Sequence, residues 1–430
     1  MSISKYMRNV LNIKDLNIHF GENCCQDVVI KGQIAKVFSA VLTFEALRCP
    51  NCGMENQQSI VKNGTKKSRI VLPEVSGYPA FLDLNKQRFL CRECSSTFSA
   101  QTNIVEKNCF ISRATKVSIA LYARKTISEK DIAAIHHVSA NTTSRVFKNS
   151  YNSFKQTYHY LPKHLCFDEF KSVKDCVGAM SFVCCDSQTH QLFDVLPDRR
   201  LFKLREYFLR FPYEVRARVE TVVTDLYSPY MILVKEVFPN AKIIIDRFHV
   251  ILQVNRALNQ TRIQVMNGLR KASEPKDRRD YTKLKNYWKL LLMDQDKLDF
   301  TNFRYHRLFK KGMCDKDVVD YLLGIDLTLK ANYDAYQTIK YAVNHKEKEL
   351  FKNFLNETHK SLSPNMTKAI KSLKVAEEYI LNSLSYTYSN GVIEGINNKI
   401  KVIKRVSYGY RNFIHFRNRI FIQFNLLQAI

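Results

Sequence analysis

Two Cys-x-x-Cys pairs restrict this chain more than any other feature of its sequence. The first is RCPNCG, Arg48 to Gly53, and the second is RFLCRECSSTF, Arg88 to Phe98. Each tight turn lets two sulfurs reach one ion from the same side, so Cys49, Cys52, Cys91 and Cys94 suit a tetrahedral structural zinc ion. Buried or redox-active thiols are the alternative. Gly53 allows the close backbone approach that the first turn needs, whereas Ser95 stands where glycine would ease the second. The 38 residues from Gly53 to Leu90 are more than a compact ribbon requires. SRIVLPEV and AFLDLNKQRF have the β character of a strand-containing insert. Cys24 and Cys25 fit no second knuckle, and Cys109, Cys166, Cys176, Cys184, Cys185 and Cys314 read as core thiols. Twelve cysteines in a long chain, with no export pattern in MSISKYMRNV, point to a reducing cytoplasm.

A second signal follows in SEKDIAAIHHVSANTTSRVFKNS. Ser128 with Asp131 three residues later resembles a capping box that opens the helix DIAAIHHV. Val138 and Ser139 close a turn without glycine, and Ser139 can cap a second helix, ANTTSRVFKN. Ile132, Ala133, Ile135, Val138, Val146 and Phe147 are expected to form the shared core. That leaves Asn141, Thr142, Arg145 and Lys148 on the outer face of the second helix, as a major-groove reader requires. An ordinary helical pair is the plainer reading.

Charge favours the first of these. The formal net charge of +27 exceeds what solubility requires and points to an extended polyanion as partner. An anionic membrane is the rival, but the basic residues are spread along the chain and no apolar run approaches the ~20 residues of a membrane span. The apolar fraction of 45% and charged fraction of 25% belong to a folded protein, and 430 residues allow two or three domains.

From His164 the pattern changes to strands: HLCFDEFKSV, VGAMSFVCCD and QLFDVLP, then a helical stretch, LFKLREYFLRFP. VETVVTD is a strand, SPYMILVKEVFP a helix, and AKIIIDRFHV a strand running toward a helix. Three strands followed by alternating strand and helix predict a mixed α/β sheet. Asp168 lies within the first strand and Asp225 closes the fourth. A carboxylate in an apolar strand is costly to bury unless it is paired or bound to a cation. Two of them on neighbouring strands, with a third from elsewhere, would hold two divalent metals, and magnesium takes such oxygen ligands in two-metal phosphoryl transfer.

The third is found near the C-terminus. From Gly391 to Ile430 the only acidic residue is Glu394, among Lys399, Lys401, Lys404, Arg405, Arg411, Arg417 and Arg419. On a helix, Glu394, Asn398, Lys401 and Arg405 share one stripe, while Ile393, Ile396, Ile400 and Ile403 form the apolar face. A surface pairing of Glu394 with Asn398 or Lys401 would explain the glutamate but not its basic surroundings. A metal between carboxylate and DNA phosphate explains both.

With these motifs the chain resembles the DDE transposases of bacterial insertion sequences, in the ISL3 family. The resemblance runs through the CPxCG and RFxCxxCxxTF knuckles, the helical pair, DEF around Asp168 and TDLYSPY around Asp225. It continues through FPNAKIIIDRFHV and SNGVIEGINNKIKVIKRVSYGYRNF. It implies a ribonuclease-H-like mixed sheet interrupted by an all-helical insertion, preceded by a zinc-knuckle module and a helix-turn-helix. It also implies that Asp168, Asp225 and Glu394 are the catalytic metal ligands for Mg2+ or Mn2+, with Asp246 and His249 in supporting roles. The expected segments are 1–108 for the knuckles, 109–160 for the helix-turn-helix and 161–251 for the first catalytic part. The helical insertion takes 252–385 and the catalytic remainder 386–430. Lys399, Lys401, Lys404 and Arg405 join the helix-turn-helix as candidate DNA contacts.

The expected function is to bind terminal inverted repeats of double-stranded DNA, cleave there to leave a 3′-hydroxyl, and join that end to target DNA. No Ser or Tyr nucleophile is needed. Bringing two ends together calls for at least a homodimer on DNA, associated with a bacterial nucleoid. A DNA-binding regulator that keeps the fold without chemistry is the alternative.

Overall fold

The computed structural model describes residues 2–151, 154–270, 274–359 and 361–427. The chain divides into two units, Met1–Lys155 with Ile400–Ile430, and Gln156–Lys399.

The first unit opens with α1 (Ile3–Val10), capped by the Ser2 hydroxyl. Five strands follow: β1 (Ile18–Ile30), β2 (Gln33–Leu42), β3 (Ile60–Val75), β4 (Tyr78–Cys91) and β5 (Thr97–Ser99). Their order is β1-β2-β4-β3 with β5 paired to β4, and only the β2–β4 pairing is parallel. Alternate residues of β3 and β4 face one core: Ile70 and Leu72 on one strand, Ala80, Leu82 and Leu84 on the other. These two strands are the insert expected between the cysteine pairs. They turn at Ser76 and Gly77, both left-handed (φ 52 and 82°), as a two-residue hairpin loop of matching twist requires. Across the pair, Arg69 grips the buried Asp83 with two bonds of 2.7 and 2.8 Å. On β1, neighbouring thiols point to opposite sides, Cys24 buried and Cys25 exposed.

Three helices complete the N-terminal part, α2 (Arg113–Tyr122), α3 (Glu129–Ile135) and α4 (Ala140–Ser150). Ser128 Oγ accepts the Asp131 N–H at 3.0 Å, and Ser139 Oγ accepts that of Thr142 at 3.2 Å. His137, at φ 53°, supplies the left-handed residue between the helices, so no glycine is needed. Ile132, Ala133, Val146 and Phe147 are buried, while Ile135 and Val138 are half-buried. Asn141, Arg145 and Lys148 are exposed as expected. Thr142 is not: it is 9% exposed and its hydroxyl lies 3.0 Å from Ser139 Oγ, so the cap draws it inward.

The second unit carries β6 (His164–Lys171), β7 (Met180–Asp186) and β8 (Leu192–Leu196), antiparallel neighbours in turn. Helices α5 (Leu201–Phe208) and α6 (Tyr213–Arg216) lead to β9 (Thr221–Thr224), and α7 (Ser228–Val237) leads to β10 (Lys242–Ile245). The order is β10-β9-β6-β7-β8, with β6, β9 and β10 parallel. Every residue of β9 is buried, which is why it reads as an apolar run without alternation.

Beyond the sheet come α8 (Arg247–Arg270), α9 (Pro275–Asn286) and α10 (Trp288–Leu291), where Trp288 is half-buried. This stretch is not all helix, contrary to expectation. Strands β11 (Arg304–His306) and β12 (Lys311–Met313) form a small hairpin turned by the left-handed Lys310 (φ 56°). Three residues per strand are too few to show a period of two. Helices resume with α11 (Asp315–Leu323), α12 (Leu327–His345), α13 (Lys348–Asn356), α14 (Pro364–Val375) and α15 (Glu377–Ser385).

The boundary between units falls within α16 (Gly391–Val406). Ile393, Ile396, Ile400 and Ile403 are buried along it, and Glu394, Asn398, Lys399, Lys401 and Arg405 are exposed, with Lys404 half-buried. Helix α17 (Phe413–Gln423) belongs to the first unit. There Arg419 is buried and donates to the carbonyls of Lys125 and Ile127 at 3.1 and 2.8 Å. It holds the loop before α3 and is thereby removed from any phosphate-facing set. Among the described residues no helix is long and apolar enough to cross a membrane.

Candidate functional site

Two ligand clusters emerge, one in each unit. In the first, the sulfurs of Cys49, Cys52, Cys91 and Cys94 all lie within 4.8 Å of one another. Cys49 and Cys94 are 3.7 Å apart, and Cys52 and Cys91 are 3.8 Å apart. A tetrahedron with zinc–sulfur bonds of about 2.3 Å has edges of about 3.8 Å, so the spacing fits the ion. Both turns bend through the left-handed region, Gly53 at φ 76° and Ser95 at φ 55°. The Ser96 hydroxyl sits 2.9 Å from Cys94 Sγ, and together with the Ser96 backbone it holds that thiol down to about 6.

The second cluster grows from strand register. Cys166 of β6 is level with Val223 of β9, and Thr224 of β9 is level with Ile245 of β10. Continuing that register puts Asp168, Asp225 and Asp246 at one level across three adjacent parallel strands, about 5 Å from strand to strand. The carboxyl ends of such strands are where open α/β sheets place their chemistry. His249, one turn into α8, lies 3.0 Å from Asp225 Oδ1 and 3.2 Å from Asp246 Oδ2.

Helix α16 and its preceding residue reach the same acids. The Asn390 amide donates to Asp225 Oδ1 at 2.6 Å, and the Asn397 amide donates to Asp168 Oδ2 at 2.6 Å. Both asparagines are almost fully buried. Residues 390, 394 and 397 fall on one helical face, so Glu394 stands between the two amides that hold the aspartates. Its carboxylate is exposed and has no protein partner among the described residues. Asp168, Asp225 and Glu394 do not draw as close as the thiols, for among the described residues only the four cysteines have ligand atoms all within 4.8 Å.

The electrostatics call for a cation. Burial pushes Asp225 up to about 7, with Asp168 and Asp246 raising it further against the pull of His249. Burial also raises Asp168. The Asp246 hydrogen bond raises His249, aided by the charge of Asp225. Crowded carboxylate oxygens beside one imidazole are hard donors, and they fit magnesium better than a soft metal.

Glu169, next to Asp168, takes the opposite side of β6 and is paired with Arg199, with the Tyr230 hydroxyl at 3.2 Å. Arg200 is likewise engaged by Asp198. Neither arginine is available as an open phosphate contact. The two asparagines were not apparent in the sequence, although S-N-G before the helix and the seven-residue spacing to Asn397 were the available signals.

The acid-bearing sheet and the four-cysteine cluster give the chain two candidate metal centres. Residues 165–420 match a family profile described as "Transposase", DDE_Tnp_ISL3. Residues 45–94 match the "zinc-finger of transposase IS204/IS1001/IS1096/IS1165". The chain is similar to a "Transposase for insertion sequence element IS1001" from Bordetella parapertussis, 24% identical over 87% of this chain and 88% of that protein. It also resembles a Lactococcus lactis subsp. lactis protein named "ATP-dependent protease", 35% identical over 28% of this chain. That match spans only 40% of the named protein. The chain belongs to the ISL3 family of DDE transposases, the transposition enzymes of insertion sequences.

Proposed function

We propose that this transposase binds the terminal inverted repeats of its element and performs metal-dependent cleavage and strand transfer at Asp168, Asp225 and Glu394. The observation that carries the proposal is the pair of 2.6 Å bonds from Asn390 and Asn397, which dock the Glu394 face of α16 onto both aspartates. The sheet order, three antiparallel strands continued by parallel ones, supports reading this unit as ribonuclease-H-like. Magnesium or manganese bound there would polarise the phosphate and activate the attacking water or 3′-hydroxyl. Asn390 and Asn397 fix Asp225 Oδ1 and Asp168 Oδ2, and the Glu169 N–H holds Asp168 Oδ1 at 2.7 Å. Asp246 orients His249, which steadies Asp225, and Arg199 neutralises Glu169.

For end recognition, α3 and α4 act as a helix-turn-helix that presents Asn141, Arg145 and Lys148 to the major groove, with the zinc ribbon beside them in sequence. Thr142 supports the cap rather than the DNA. Lys399, Lys401, Lys404 and Arg405 contact phosphates. As functional segments we keep 1–108, 109–160, 161–251, 252–385 and 386–430, the last contributing Asn390, Glu394 and Asn397 to the catalytic centre. Paired ends require at least a dimer on DNA. The test is Glu394→Gln in a magnesium- or manganese-dependent cleavage assay on end-bearing DNA. Cleavage should be lost with end binding kept, and cleavage at the wild-type rate would refute the assignment.

A further inference from the structure

Helices α8 and α14 border a cavity of about 590 Å³ that opens at Asp225 and His249. Helical spacing arranges its walls. His249, Gln253, Arg256 and Gln260 follow one stripe of α8, and Asn365, Lys368 and Ser372 follow one stripe of α14. Between the stripes lie the small buried residues Ala257 and Ala369. Thr261 Oγ1 meets Ser363 Oγ at 2.7 Å at one end, and Ser372 shares the cavity with Leu252 and Gln253 at the other, so the stripes run antiparallel. Asn365 therefore lies toward Gln260, Lys368 toward Arg256, and Ser372 toward Gln253 and the acids.

Three properties select the occupant. First, Arg256 and Lys368 are exposed cations with no ion-pair partner among the described residues, and they line the same cavity. Apart from Asp225, its only acidic lining residue among the described residues is Glu169, already paired with Arg199. Two like charges sharing a groove are stabilised by an anion between them. Second, Gln253, Gln260 and Asn365 offer paired donors and acceptors of the kind that read base edges. Third, α8 and α14 touch at Thr261 and Ser363, so the cavity is a narrow groove over their seam, which suits one strand rather than a duplex. From His249 to Gln260 the stripe runs about 16 Å along the helix, the span of a few nucleotides.

We propose that this groove holds an unpaired DNA strand leading away from the acid centre. A phosphate lies between Arg256 and Lys368, and the bases lie against Gln253, Gln260 and Asn365. The proposal rests on the reading of the acids as a cleavage centre, and it means that the duplex is opened beside the scissile phosphate.

The test uses the full chain and end-bearing DNA without divalent metal, either blunt or carrying a three-nucleotide unpaired tail at the cleavage position on one strand or the other. Affinity is measured by fluorescence anisotropy across a salt series. The wild type should prefer one tailed DNA about tenfold, with a log–log salt slope steeper by about 0.7, the value for one phosphate contact. Arg256→Gln with Lys368→Gln should bind tailed and blunt DNA alike, and each single change should remove about half the extra slope. A wild type indifferent to tails, or a double variant that keeps the full preference, overturns the proposal. Asp225→Asn separates the two readings. Loss of cleavage with no tail preference sinks the groove alone, whereas continued cleavage with the tail preference intact sinks the acid assignment and leaves the groove standing.

Discussion

The thiol cluster and the acid cluster collect like-charged ligands by opposite means. Cys49, Cys52, Cys91 and Cys94 come from two local turns, and their sulfurs already sit at the spacing of a zinc tetrahedron. Asp168, Asp225 and Asp246 come from separate strands, and Glu394 from a helix far along the chain. Two buried amides hold the aspartates while the glutamate faces solvent. A site prearranged to this degree suits an ion that stays, because zinc binding is part of folding. A site left open on one side suits an ion that shares its ligands with a substrate phosphate. Ligand closeness is therefore what distinguishes the zinc-type cluster from the proposed catalytic one.

Removing zinc should have the largest effect. Structural zinc contributes on the order of 10 kcal/mol in small ribbons. Cys49→Ser, or a strong chelator, should therefore abolish the cooperative melting of the first unit, read by calorimetry, and release stoichiometric zinc. Survival of that transition would erase the contrast. Next comes Asn397→Ala, which leaves Asp168 without its amide. Loss of such a supporting partner costs about 10–100-fold in metal affinity. Manganese titration should show that drop with zinc content and melting unchanged, and an unaltered affinity would reduce Asn397 to a packing residue.

Asp83 sharpens the contrast between a carboxylate held by an arginine and one raised by burial. Hydrogen bonds from Arg69 hold it below the usual carboxylate range, with Lys67 assisting, the reverse of Asp225. A depressed acid stabilises the fold above its unfolded value near pH 4, and that stability is lost as pH falls through its lower folded value. Asp83→Asn should cost about 1–2 kcal/mol at pH 7. The melting difference from wild type should shrink below pH 4, and a constant difference would assign the effect to packing. The smallest change lies in the second cysteine turn. Ser95 occupies φ 55° where Gly53 occupies φ 76°. Ser95→Gly should stabilise by about 0.5–1 kcal/mol in the melting curve, and destabilisation would mean that the serine side chain matters more than its backbone.

Features with a local signature were readable in the sequence. The cysteine pairs, the Ser128 and Ser139 caps, and the order of strands from His164 to Ile245 depend on neighbours a few residues apart. Features decided by tertiary register were not. Strand β1 is hidden in the sequence because its register shifts between Phe20 and Cys25, which breaks its alternation. Spacing alone puts Thr142 on the outer face, because it does not show that Ser139 draws it inward. Asn390 and Asn397 looked like ordinary polar helix residues until α16 was laid against Asp225 and Asp168. Arg419 counted as one more cation until the carbonyls of Lys125 and Ile127 claimed it.

The central claim is that Asp168, Asp225 and Glu394 share a cation when DNA is present. Manganese binding to the complex with end-bearing DNA, followed by electron paramagnetic resonance in the wild type and in Glu394→Gln, tests it most directly. The account predicts tight binding in the wild type and at least a tenfold loss in the variant, with DNA still bound. Equal manganese affinity in both would contradict it.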